Sequence, residues 1–440
     1  MGSASELVIP FLGALQAAVS VLLTIFYGVV TAQFNLLSGK AAKEVSGLCV
    51  RMLLPALLIY KVGSELQQGT ALRYLPILIW AIGYNLLSIA IGSVATRFFN
   101  LPSWATPAMA FNNTTSLPLL LIQSLEATGI LSAILRHGDS ASDAVSRAQS
   151  YFLINSTVNN SLTFALGPRL LRPGDEDAPD EEGNNEGGER GNQGDQDGQQ
   201  ERSQTDGYDD IIDEHTTLLP RHNVRRANAV GLDTWKIGKE QWERLPQWAQ
   251  NFLGTAYMFA NGPLIGAVIG AFIGLIPPLH KLFFNKVSEG GYLNAWLTTS
   301  IKNIGDLFAS LQIIVVGVKL SQSLRNMKKG EASGEFSWKG FLFITCVRFL
   351  IWPAVSIPVI YFTVTKTRLL NADPMLWFAM MLMPTGPPAM ILVALAEVNG
   401  SPEKQKMAIA KFLTVSYAIT PLISFAVVGA LKACESALTT

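Results

Sequence analysis

The chain has 440 residues, 49% of them hydrophobic and only 15% charged, with a mean hydropathy of +0.30 and no net formal charge. Soluble domains carry about a quarter charged residues, so the composition argues against a soluble globular enzyme. Zero net charge gives no general pull towards nucleic acid.

The N-terminus, MGSASELVIP, lacks a basic region and carries Glu6, so no cleaved signal peptide is expected and the first helix serves as its own membrane signal. FLGALQAAVSVLLTIFYGVV (11–30) and LPILIWAIGYNLLSIAIGSVA (75–95) reach the roughly 20 residues needed to cross a bilayer. Hydropathy places ten candidate spans near 8–32, 45–65, 73–98, 104–127, 149–170, 252–277, 293–320, 338–363, 374–397 and 406–431. The expectation is an all-α polytopic membrane protein. It has a first five-helix set over 1–170, a linker over 171–250 and a second set over 251–440.

The linker opens with GDEDAPDEEGNNEGGERGNQGDQDGQQERSQTDG, a composition that cannot offset the entropy of ordering. It closes with WKIGKEQWERLPQWAQNF (235–252), which reads as an interfacial helix with its aromatics at headgroup level. Within it, YDDI (Tyr208–Ile211) and EHTTLL (Glu214–Leu219) fit sorting patterns that trafficking adaptors bind. Lys and Arg are in slight excess in the loops 33–44, 97–103, 321–339 and 398–405. The positive-inside rule puts these loops and the linker in the cytosol.

The fourth span of each set is interrupted. The first contains NNTTSLP (112–118) and the second MPTGPPAM (383–390), each amid apolar residues. Proline removes a backbone donor and clashes with the preceding turn, and unwound backbone at membrane depth is tolerated only against protein or water. Matched breaks in two five-span sets point to inverted repeats whose broken helices, the fourth and ninth, cross near the midplane. Their inner N-termini make anion sites. Asn112, Asn113, Thr114 and Ser116 offer neutral donors beside one break, and Thr385 and Gly386 line the other. The expected ligand is a small organic anion, a carboxylate with an apolar body.

Charges inside spans are costly and mark function or pairing. Lys61 and Glu65 are spaced to pair. Asp306 and Lys319 bracket DLFASLQIIVVGVKL within the seventh span, Arg348 lies deep in the eighth, and Glu126 and Glu397 follow the two breaks at similar distances. For Glu126, Asp306, Lys319 and Arg348, a structural role and a part in transport or proton coupling both stay open. The four histidines fall in loops. Cys49, Cys346 and Cys434 lie far apart and form neither a disulfide framework nor a metal site. No metal or cofactor is expected. HExxH, GxSxG and P-loop patterns are absent from the sequence, so an enzyme is not expected.

The paired breaks, together with PALLIYKVGSEL (55–66), GPLIGAVIGAFIGLIPPLHK (262–281) and IVVGVKL (314–320), resemble the auxin efflux carrier family, most closely its PIN-like branch with the PIN-LIKES proteins and their fungal relatives. The resemblance covers about 1–170 and 250–435. It implies ten helices in two inverted repeats, an architecture broadly shared with bile acid–sodium symporters and NhaA-type antiporters. It further implies elevator-type alternating access and the export or compartmentalisation of auxin-like carboxylates, with a homodimer as the plausible assembly. Carried over, the binding region falls on Asn112, Asn113, Ser116 and Pro118 in one half and on Thr385, Gly386, Pro387 and Pro388 in the other. The third helix of the plant plasma-membrane carriers is acidic and lysine-bearing near the substrate, whereas YNLLSIAIGSVA (84–95) has neither. The branch favours the endoplasmic reticulum membrane, and the linker signals favour a vacuolar or endosomal route. A receptor or scaffold acting through the linker is the competing reading, and an ion channel a third.

Overall fold

The computed structural model describes residues 3–67, 73–136, 138–171, 246, 261–328, 337–367, 369–398 and 401–439. The linker's sorting patterns and almost all of the 235–252 segment lie outside them. The described parts of the two five-span sets make one compact unit, helical throughout. Among the described residues the only β pairing is a single antiparallel bridge, between Asn112 and Pro388.

The first set runs α1 (Ser3–Gln33), α2 (Gly39–Leu48), α3 (Leu54–Glu65), α4 (Leu75–Phe98), α5 (Ala105–Ala110), α6 (Ser116–Thr128) and α7 (Ala141–Leu171). The second runs α8 (Gly262–Leu275), α9 (Pro277–Phe284), α10 (Thr299–Lys328), α11 (Trp338–Cys346), α12 (Trp352–Lys366), α13 (Pro374–Leu382), α14 (Ile391–Val398), α15 (Glu403–Ala418) and α16 (Ile423–Thr439). Two spans are continued through π-helical turns, Cys49–Leu53 between α2 and α3 and Val347–Ile351 between α11 and α12. Pro55 and Pro353 explain both, because each lacks the N–H that would close the preceding α turn.

Six helical segments are long and apolar enough to cross a membrane, and α8 with α9 forms a further candidate bent by 102°. The segments expected as the fourth and ninth spans fall outside that set because each is two short helices about a break. The fifth, α7, carries too many amides and hydroxyls. The surface pattern is inverted relative to a soluble protein: Ile79, Val94, Phe98, Val268, Phe272 and Leu350 face outwards, while Asn85, Asn112, Asn155, Asn159 and Arg348 are buried. That distribution suits lipid as the surrounding solvent. The chain is an integral multi-pass membrane protein.

Helix packing is reciprocal between the sets. The first span, α1, packs on α10 of the seventh, and α8 of the sixth packs on α3 of the second. Both contacts depend on glycine. A Cβ at Gly28 would sit 2.1 Å from the Ile314 carbonyl oxygen, and one at Gly317 2.0 Å from that of Ile25. On the other side, a Cβ at Gly274 would lie 2.3 Å from the Leu66 oxygen. Small residues let backbones approach where burial from water drives nothing.

Two expectations are corrected. The tenth span is not one helix over 406–431. Pro421 cannot continue the α ladder, so a 3-10 turn (Thr420–Leu422) separates α15 from α16. His280 is not in a loop but within α9. His137, His215 and His222 lie outside the described residues.

Candidate functional site

The two breaks meet. Residues 111–115 and 383–390 cross antiparallel, with the Asn113 N–H donating to the Pro387 oxygen at 2.9 Å and the Ala389 N–H to the Phe111 oxygen at 3.0 Å. The prolines explain what else gathers there. In an α-helix each N–H serves the carbonyl four residues back, so Pro384, Pro387 and Pro388 strand the carbonyls of Met380, Met383 and Pro384. A side chain from elsewhere supplies each missing donor: Trp80 Nε1 to Met380 at 2.9 Å, Asn112 Nδ2 to Met383 at 3.0 Å, and Arg348 Nη1 to Pro384 at 3.2 Å. Ser356 Oγ donates to Met381 at 2.6 Å. Buried carbonyls must be satisfied, and here α4, α12, the first break and the π turn of the eighth span do it.

The first break is held by α7. Asn159 Nδ2 donates to the Asn112 oxygen at 3.3 Å, and the Thr115 and Ser156 hydroxyls bond at 2.8 Å. Asn113 Nδ2 reaches the buried Tyr417 hydroxyl of α15 at 2.9 Å, and its Oδ1 accepts from Ser116 Oγ at 3.3 Å. At one end of the molecule, buried Asp373 caps α13 through the Met375 N–H at 3.2 Å and accepts from the Tyr151 hydroxyl at 2.6 Å. This ties α7 to the second broken helix as well.

The N-termini of α6 and α14 open on one cavity of about 80 Å³, lined by Asn113, Thr114 and Ser116 on one side and Ala389, Met390 and Ile391 on the other. Among the described residues lining it there is no carboxylate. A larger vestibule of about 520 Å³ is built from the same four elements, α3, α6, α7 and α10, on their far side. Its apolar part includes Leu57, Leu119 and Leu153, and its charged part is Lys61, Glu126, Asp143, Lys302 and Asp306. It lies towards the end where α3 and α6 finish and α7 and α10 begin. The opposite end is marked by Arg325 donating to the Ala32 oxygen and by Gln405 donating to Ser103.

The predicted residues therefore divide. Asn112 spends its amide on the Met383 and Thr385 carbonyls, Pro387 and Pro388 form the crossing itself, and Asn113 and Ser116 face the cavity. Thr385 is buried with an unpartnered hydroxyl, and Gly386 takes φ +131, which favours glycine. Pro118 is half-buried in the first turn of α6. Of the charges, Glu126 and Asp306 share the vestibule, with Asp306 bonded to Lys302 at 2.5 Å. Lys319 is half-buried in α10, apart from both cavities, and the Glu397 side chain lies outside the described residues. Lys61 donates to Ser146 at 3.0 Å. Sequence reasoning missed Trp80, Ser356, Tyr417 and the amides of α7. The run INSTVNNS (154–161) was the available signal for the last.

Two broken helices crossing at a polar cavity inside a polytopic helical membrane protein define a transport protein. Residues 14–427 match the family described as membrane transport protein, and the chain belongs to that family. An uncharacterized transporter of Schizosaccharomyces pombe is 25% identical over 436 residues, covering 94% of this chain and 94% of the relative. Both findings agree with the resemblance to auxin efflux carriers carried by the sequence motifs.

Proposed function

We propose that the protein is a secondary carrier for small organic anions, auxin-like carboxylates by family resemblance, which binds its cargo where the broken helices cross. The observation carrying this reading is that the N-termini of α6 and α14 share one cavity beside neutral donors, with no carboxylate among the described lining residues. Helix N-termini and N–H groups attract anions, and an apolar rim of Phe164, Phe308 and Val316 suits an apolar body.

A cavity of about 80 Å³ is smaller than the roughly 300 Å³ at which small-molecule sites begin. The site must therefore widen to load. The glycine-packed pairs α1–α10 and α3–α8 act as the fixed frame, and the crossed helices with α7 move against it in elevator fashion. Asn112, Thr385, Pro387 and Pro388 hold the crossing, and Asn113 and Ser116 meet the cargo. With the linker cytosolic, the vestibule lined by Glu126 and Asp306 faces the lumen or exterior. The endoplasmic reticulum membrane is the favoured location.

Uptake into vesicles reconstituted with purified protein tests this. Radiolabelled indole, bile and dicarboxylic acids are offered with and without a pH gradient. Asn113→Ala should lower flux of the carried acid tenfold or more, corresponding to about 1.4 kcal/mol. Deleting 175–230 should leave it unchanged. Full flux in Asn113→Ala overturns the crossover site, and loss of a cellular phenotype only on linker deletion favours a scaffold.

A further inference from the structure

Arg348 is the largest side chain with no solvent exposure in the described structure. It stands in the π turn of the eighth span, and its Nη1 caps the Pro384 carbonyl. That one bond does not account for a guanidinium. Neighbouring carbonyls of the same break are capped by neutral donors from Trp80, Asn112 and Ser356, so capping needs no charge. Arg348 Nε and Nη2 meet no acceptor, and among the described residues no carboxylate pairs with it. An uncompensated charge at membrane depth is costly.

Two further buried donors are unpartnered on elements linked to the same span. Trp352, four residues on, has a buried Nε1 without partner, and Asn155 a buried Nδ2 without partner. Tyr84 links them: its ring packs edge-on against Trp352 at 5.8 Å, and its hydroxyl donates to Asn155 Oδ1 at 2.9 Å. On α4, Asn85 Oδ1 and Ser88 Oγ are likewise unpartnered, but neither carries charge. The Nε–Nη2 edge of a guanidinium presents two parallel N–H groups at the spacing of a carboxylate's oxygens.

We propose that this edge of Arg348 is a second oxyanion position, behind the crossover, which takes the carboxylate of the transported acid and makes the eighth span the source of anion selectivity. The inference rests on the carrier reading above, because an acid reaches a fully buried group only when the crossover moves.

The test uses the full-length protein purified in detergent. The thermal midpoint of wild type, Arg348→Lys and Arg348→Gln is followed against formate, acetate and indole-3-acetate, their uncharged amides, and chloride. Wild type should be stabilised by the carboxylates over the amides. Arg348→Lys, which keeps the charge and loses the edge, should need about tenfold more carboxylate. Arg348→Gln should lose the preference.

Wild-type behaviour in either variant, no preference in wild type, or equal stabilisation by chloride each overturns the proposal. If Arg348→Gln does not fold, Arg348→Lys decides alone. Flux of indole-3-acetate in vesicles separates the two claims. Carboxylate preference without flux of any acid rejects the carrier and leaves the site. Flux with an unchanged Arg348→Lys rejects the site and leaves the carrier.

Discussion

The break in the fourth span is written in amides and hydroxyls, Asn112 to Ser116, and that in the ninth in three prolines and a glycine, Pro384 to Pro388. Both interrupt a helix at the same place in the fold, yet the consequences are opposite in sign. The first break brings side-chain donors of its own and spends one, the Asn112 amide, bracing its partner. The second brings stranded carbonyls, each of which has recruited a donor from a different element. In side-chain bonds across the crossing, the first break is therefore the giver and the second the taker. The cavity lies between the two and takes polar lining from the giver, at Asn113, Thr114 and Ser116.

Substitutions that exchange these roles test the contrast. The largest effect is expected for Asn112→Ala, which strips the Met383 and Thr385 carbonyls of their donor and should cost roughly 2–3 kcal/mol of stability, read as a lower thermal midpoint in detergent. Pro387→Ala supplies the backbone N–H that Met383 lacks. The double variant should then fall short of the summed single effects by about 0.5–2 kcal/mol. Strict additivity would sink the stranded-carbonyl account. A middling effect is expected for Trp80→Phe, which keeps the ring and removes the donor to Met380, costing about 1–2 kcal/mol. No change in midpoint would show that water serves that carbonyl equally well. The smallest effect on stability is expected for Ser116→Ala, about 0.5 kcal/mol, because its bond to Asn113 is long at 3.3 Å. Its effect on substrate KM should be the clearer of the two, and a variant that melts early with unchanged KM would move Ser116 from the giver's side to the structural one.

Much of this was legible in the chain. Proline within apolar residues announces a broken helix without any tertiary knowledge, and the rule of four names the carbonyls that need help. The helpers were not legible. Asn112 and Met383 are 271 residues apart, and nothing local in LPILIWAIGY marks Trp80 as a donor rather than an interfacial anchor. Local spacing was incomplete at Lys61, where Glu65 is the helical neighbour but a further bond runs to Ser146 on α7. The same limit applied to α7, whose amides look like weak helix residues until the breaks they hold are in view. Reciprocal packing of α1 on α10 and α8 on α3 was foreshadowed only by glycines, and a glycine does not say which helix it admits.

The vestibule has an electrical consequence. On the carrier reading proposed above, a polar recess of about 520 Å³ would carry the potential of the bathing solution inward, towards the apolar side chains of Leu57, Leu119 and Leu153. On that reading the membrane voltage would then fall mainly across the protein between those leucines and the opposite face. An elementary charge moved through the full voltage exchanges about 2.3 kcal/mol per 100 mV. For the proposed carrier, an anion shifted a short way past the crossover would exchange a large part of that amount, and a small displacement of the crossed helices would make its transport voltage-sensitive.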